Sequence, residues 1–111
     1  KLYLGLRSPL TKKGEAIIVE LGQVMTEPVI ENLLTVSLAG NGIRGLETRG
    51  AEILILSGTT NDTDTAFSLY KFHPGTRRLG RLNVPGFDEL ARPESLVHDG
   101  DGIHFVQDFQ D

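Results

Sequence analysis

Two stretches of this chain carry one pattern 50 positions apart. Residues 42–58, Gly-Ile-Arg-Gly-Leu-Glu-Thr-Arg-Gly-Ala-Glu-Ile-Leu-Ile-Leu-Ser-Gly, lie over residues 92–108, Arg-Pro-Glu-Ser-Leu-Val-His-Asp-Gly-Asp-Gly-Ile-His-Phe-Val-Gln-Asp. Leu46 falls on Leu96, Gly50 on Gly100 and Ile53 on Ile103, and the apolar pairs Ile55/Phe105 and Leu56/Val106 extend the match. Leu2-Tyr3-Leu4 falls over Ile53-Leu54-Ile55 at nearly the same spacing. Self-similarity at a fixed period belongs to architectures in which each unit buries its apolar face on the next. A unit of about fifty residues built from short strands has the form of a β-propeller blade. The 111 residues then divide into the end of one blade (about 1–40), one whole blade (about 43–84) and the start of another (about 92–111). Propellers close with roughly four to eight blades. About two blades therefore belong to something longer or assemble with copies of themselves, and the lack of an opening Met favours a fragment or processed chain. A small β-sandwich of about eight or nine strands is the alternative that this length also fits.

The all-β reading rests on punctuation. The chain's 13 glycines are spread between short apolar runs instead of being gathered into a linker. Alternation and β-branched content predict strands near Leu2–Leu6, Ala16–Leu21, Leu34–Leu38, Ile43–Thr48 and Ile53–Leu56, and again near Phe67–Phe72, Leu79–Val84, Ser95–His98 and Ile103–Val106. Between them stand Lys13-Gly14, Gly40-Asn41-Gly42, Arg49-Gly50, His73-Pro74-Gly75, Pro85-Gly86 and Asp99-Gly100-Asp101-Gly102. The last is the strongest hairpin signal, because Asp-Gly tolerates the positive φ of primed turns. Pro28 to Leu38 is ambiguous, since Pro-Val-Ile-Glu-Asn-Leu-Leu can open with a helical turn. No other window sustains helical spacing over the ten or so residues a helix needs.

Charge and composition narrow the partners. Eleven Lys and Arg against fifteen Asp and Glu leave a net charge of −4, which argues against non-specific attraction to nucleic acid or anionic membrane. No apolar run approaches the roughly 20 residues that span a bilayer, and Lys1-Leu2-Tyr3 does not open a signal peptide. A soluble, cytoplasmic protein is the expectation. With no cysteine, disulfides, thiolate metal sites and thiol nucleophiles are excluded.

Several landmarks recur in order: Leu4-Gly5-Leu6-Arg7-Ser8-Pro9, Gly42-Ile43-Arg44-Gly45-Leu46, Ile53-Leu54-Ile55-Leu56-Ser57-Gly58, Asn61-Asp62-Thr63-Asp64 and Pro93-Glu94-Ser95-Leu96. In order and spacing they resemble an uncharacterised bacterial family, domain of unknown function 3616, whose pattern runs L-G-L-R-G-P, G-I-R-x-L, L-L-I-L-A-G-P, D-x-D, P-E-G. Ser8 and Ser95 stand where that family favours Gly, and Thr59 where it favours Pro. The resemblance spans nearly the whole chain but only the later part of a family member. It implies a β-propeller-like fold and no particular chemistry.

Candidate sites are few. Arg7 and Arg44 follow or interrupt apolar strands, where a guanidinium needs a partner and its fork suits carboxylate or phosphate. Arg44 and Glu94 are equivalent at the offset of 50 and would occupy matching places in adjacent blades. An Arg44–Glu94 ion pair is the preferred reading over a ligand site formed by Arg7, Arg44 and Glu94. Asp62 or Asp64 is a second possible partner for Arg7. The Asn61-Asp62-Thr63-Asp64 turn offers Asp62 and Asp64 as weak calcium ligands, but it lacks the Gly and Glu of an EF-hand loop. No cofactor is otherwise implied. Four aspartates, Asp99, Asp101, Asp108 and Asp111, make the last fourteen residues an acidic, solvated tail. His73, His98 and His104 lack metal-ligand spacing, although His98 and His104 could face each other across a hairpin. No serine sits in a nucleophile elbow, and no glycine cluster precedes a helix as a phosphate loop would. Arg77, Arg78 and Arg81 form one short basic cluster without aromatics, as a solvated hairpin does. The function implied is a binding or scaffold module for a small molecule or protein, with neighbouring blades or identical subunits as structural partners. A propeller hydrolase that activates water on a divalent cation is the competing class.

Overall fold

In a computed structural model, residues 2–22, 27, 29–60, 67–83, 93–99 and 102–107 are described, the last two stretches by their backbone. The fold is all-β. Strands β1 (Leu2–Gly5), β2 (Ala16–Gly22) and β3 (Val29–Val36) form one antiparallel sheet in that order. Strands β4 (Gly42–Arg49), β5 (Glu52–Gly58), β6 (Ser68–His73) and β7 (Arg78–Leu82) form a four-stranded antiparallel sheet, and β8 (Pro93–Asp99) and β9 (Gly102–Gln107) a hairpin. Each sheet is a meander in chain order, so every hydrogen-bonded neighbour is also the next strand. Among the described residues the strands divide among three sheets and close neither a barrel nor a ring.

Period-2 alternation decides which residues enter the core. Ala16, Ile18 and Glu20 of β2 are buried while Ile17, Val19 and Leu21 between them are only half-buried. Leu34 and Val36 of β3, with Leu38, continue the buried face. Against it lie Ile43, Ile53, Ile55 and Phe72 of the four-stranded sheet, flanked by Tyr3, Leu10, Leu46, Tyr70 and Leu79. Strand β5 goes further. Its Ile-Leu-Ile-Leu run is buried on both faces, because Ile53 and Ile55 point into that core while Leu54 and Leu56, with Leu69, are buried on the other face. The β8–β9 hairpin lies alongside β4.

Among the described residues, the first sheet is covered on one face only. Leu2, Leu4, Val29, Ile30 and Leu33 are 50–63% exposed, and the register Leu4↔Val19↔Leu33 and Leu2↔Leu21↔Ile30 sets four of them on the face away from the core. The outer strand of the four-stranded sheet, β7, instead carries Arg78 and Arg81, charges that discourage edge-to-edge pairing.

One local ambiguity is resolved and one turn shifts. The stretch after Pro28 opens as strand at Val29 and takes no helical turn, because pairing with β2 from Gly22↔Val29 to Ala16↔Val36 satisfies its backbone. An extra residue, Glu31, is absorbed where the register shifts beside Glu20. The turn into the four-stranded sheet falls at Ala39-Gly40 (φ 57° and 83°), one residue earlier than the Gly40-Asn41-Gly42 signal, and is closed by the Asn41 amide donating to the Leu38 carbonyl at 3.1 Å. Positive φ at both central residues is the condition of a primed turn, which glycine meets at no steric cost.

Because Phe72 is 2% exposed and central to the sheet–sheet contact, Phe72→Ala is expected to lower unfolding free energy by about 3–5 kcal/mol. Leu33→Ala, at a side chain 63% exposed, should stay within about 0.5 kcal/mol of the parent. Urea titration followed by circular dichroism measures both.

Candidate functional site

Two of the sequence candidates, Arg7 and Arg44, flank one end of the four-stranded sheet, where Gly42 of β4 pairs with Gly58 of β5. Both positions are crowded. A Cβ on Gly42 would run into the Arg7 carbonyl, and one on Gly58 would meet Arg44 Cγ at 2.8 Å and the Phe67 ring at 3.0 Å. Glycine therefore lets the chain after β1 approach β4, and the Ile43 amide donates to the Leu6 carbonyl at 3.1 Å. The Arg7 backbone thus packs on Gly42 and the Arg44 side chain on Gly58.

Arg44 is placed there by a β-bulge. Ile43 pairs with Ser57 and Gly45 with Leu56, so Arg44 is the extra residue on β4. Its Nε and Nη2 donate to the Thr59 carbonyl at 3.1 and 3.0 Å, and Nη2 also reaches Thr59 Oγ1 at 3.2 Å. The guanidinium carbon lies 5.5 Å from the centroid of the Phe67 ring, within cation–π range. Arg44 thereby ties the residue after β5 to β4. Next to it, Ser57 is fully buried and its hydroxyl donates to the Ser68 carbonyl at 3.3 Å, linking β5 to β6.

The β8–β9 hairpin repeats this register. Its pairs Ser95↔Val106, Leu96↔Phe105, Val97↔His104, His98↔Ile103 and Asp99↔Gly102 match Gly45↔Leu56, Leu46↔Ile55, Glu47↔Leu54, Thr48↔Ile53 and Arg49↔Glu52 at an offset of 50 throughout. Its register shift, between Pro93 and Ser95, makes Glu94 the extra residue, just as Arg44 is in β4. Two residues of opposite charge thus occupy the same bulge of two hairpins. The Glu94 side chain, Asp62 and Asp64 lie outside the described residues, as do the proposed pairings of Arg44 with Glu94 and of Arg7 with Asp62 or Asp64. Among the described residues no group of three or more His, Asp or Glu is placed to hold a metal ion. His98 and His104 are not directly opposed, since the register pairs them with Ile103 and Val97.

The basic cluster is also taken apart by pairing. Arg78 lies opposite His73 and Arg81 opposite Tyr70, on different faces, while Arg77 sits in the intervening turn at φ 64°. This separation opens something that linear reading passes over. At the far end of the sheet from Arg44 lies a groove of about 580 Å³ lined by Glu52, Lys71, His73, Thr76, Arg78, Leu79 and Gly80. Its residues come from three strands and a turn, so only the cross-strand register could have revealed it.

The family described as Protein of unknown function (DUF3616) matches the chain over residues 1–101. No curated protein and no solved structure matches it.

Arg44→Lys keeps the charge but loses the fork onto the Thr59 carbonyl, and should cost about 1–3 kcal/mol of unfolding free energy. Gly58→Ala, pressed against Arg44 and Phe67, should destabilise by a comparable amount. Combined in one chain, the two changes should cost less than their sum, because both disturb the same contact; a denaturation double-mutant cycle reads this.

Proposed function

The chain belongs to the DUF3616 family, and from that membership we propose that it is a portion of a β-propeller that works as a binding or scaffold module. The observation that carries this reading is the shared register of the β4–β5 and β8–β9 hairpins, bulge included, at a constant offset of 50. Equivalent hairpins in successive sheets are what blades provide. Bulges re-aim side chains and favour the rims of binding sites, so the loop end marked by Arg44 and Glu94 is the end at which a small molecule or protein is met. The metal-dependent hydrolase alternative rests on Asp62 and Asp64, outside the described residues, and no observation among the described ones favours it.

A second feature fits blades. Ile53 and Ile55 of the four-stranded sheet are covered by the first sheet, and Leu2 and Leu4, their counterparts in the sequence offset, stand on a face with no cover among the described residues. On the blade reading that face is built to meet another sheet, either of a longer chain or of a second copy.

Size exclusion with light scattering across a range of concentrations tests this. The expected result is a mass above the 12.1 kDa of one chain, rising with concentration, and returned to the monomer by Leu33→Asp. A folded monomer at every concentration, unchanged by Leu33→Asp, would show that the face needs no cover and would overturn the blade reading.

A further inference from the structure

We infer that the groove between β5, β6 and β7 is a binding site for the phosphate of a small hydroxyl-bearing phosphate ester. The inference is independent of the propeller reading, because every residue it uses belongs to one four-stranded sheet and one turn. Alternation along β6 sets Lys71 and His73 on the face opposite Phe72. Register then brings Gly80 across from Lys71 and Arg78 across from His73, and Glu52 of β5 falls on the same face, two residues from Leu54. Gly80 supplies the space: a Cβ there would meet nothing within 4 Å. The groove's volume of about 580 Å³ lies within the roughly 300–1,000 Å³ of small-molecule sites.

Its charge is opposite to that of the chain. Glu52 is already shared, accepting from Arg49 at 3.3 Å and pairing with Lys71 at 3.5 Å. Arg49 and Lys71 pair with this one carboxylate and Arg78 lines the same groove, three cations to one anion on a protein of net charge −4. Local excess of this kind selects an anion that bulk charge would repel.

The donors point to phosphate over a planar carboxylate. Arg78 offers a guanidinium fork and Lys71 an ammonium. The His73 Nδ1 accepts the Thr76 amide at 3.1 Å, so in the neutral ring the proton is held at Nε2, a donor. The Thr76 hydroxyl accepts the Arg78 amide at 3.4 Å, which leaves its own proton to give. The turn that brings these groups together is closed by the Arg77 amide donating to the His73 carbonyl at 2.8 Å, with Arg77 itself in the left-handed region. Four donor side chains from two strands and a turn exceed what two coplanar oxygens use and suit three tetrahedral ones. Glu52, the one acceptor side chain among ionised donors, suits a hydroxyl on the body of the ligand.

Isothermal titration with inorganic phosphate and with glycerol 3-phosphate tests this on the whole chain. Both should bind, the ester more tightly, and Arg78→Gln and Lys71→Gln should each weaken binding at least tenfold. Gly80→Leu should abolish binding of the ester by filling the space, with circular dichroism and Tm confirming that each variant folds. Glu52→Gln should erase the preference for the ester over inorganic phosphate. Arg81→Gln, on the opposite face, should change nothing. Absence of binding at millimolar ligand, an effect of Arg81→Gln equal to that of Arg78→Gln, or undiminished binding to Gly80→Leu would each overturn the assignment. Equal affinity for the two ligands would overturn its hydroxyl-bearing part.

Discussion

Burial of β5 on both faces is the constraint to which the rest of this structure answers. A strand in a one-sided sheet needs a cover on one face; one that reads Ile-Leu-Ile-Leu needs two. The first sheet supplies one cover through Ala16, Ile18, Leu34 and Val36, and the meander order puts β5 in the interior of its own sheet, between β4 and β6. Fully burying an aliphatic side chain of this size is worth about 1.5–3 kcal/mol. Four of them in succession make β5 the element whose position is most strongly specified, and the neighbouring sheets are arranged around it.

That specification leaves the ends of the sheet to polar chemistry. At one end Gly42 lets the chain after β1 close on β4, and the bulged Arg44, packed on Gly58, ties β4 to Thr59. At the other end Arg49 and Lys71 pair with Glu52, and His73, Arg78 and Gly80 line the same groove. The contrast is physical. Arg44 spends its guanidinium on a backbone carbonyl and an aromatic ring, so it holds structure together. Lys71 keeps a side chain 43% exposed, and the donors around it line open space.

Much of the architecture was legible because alternation and turn chemistry are local. The offset that laid Arg44 over Glu94 is the offset at which both prove to be bulge residues, since both hairpins carry the same one-residue insertion and the spacing between them stays constant. The start of β3 is ambiguous in sequence because Val-Ile-Glu-Asn-Leu-Leu has no alternation until Leu34, and pairing with β2 settles it as strand. The groove was illegible for the same reason: Lys71 and Gly80 are neighbours solely through pairing across a turn.

By itself, then, the sequence determined an all-β chain, the rough limits of the strands seen among the described residues, the family to which it belongs and the equivalence of residues 42–58 and 92–108. Each of these follows from interactions between residues near in sequence or from spacing kept along the chain. Tertiary structure alone decided which face of the first sheet is covered, that Arg78 and Arg81 part to opposite faces, and that a cationic groove lies over Gly80. Those outcomes depend on register and on sheet-to-sheet burial, which join residues far apart in the chain and are set by the total apolar area hidden, a quantity no local window contains.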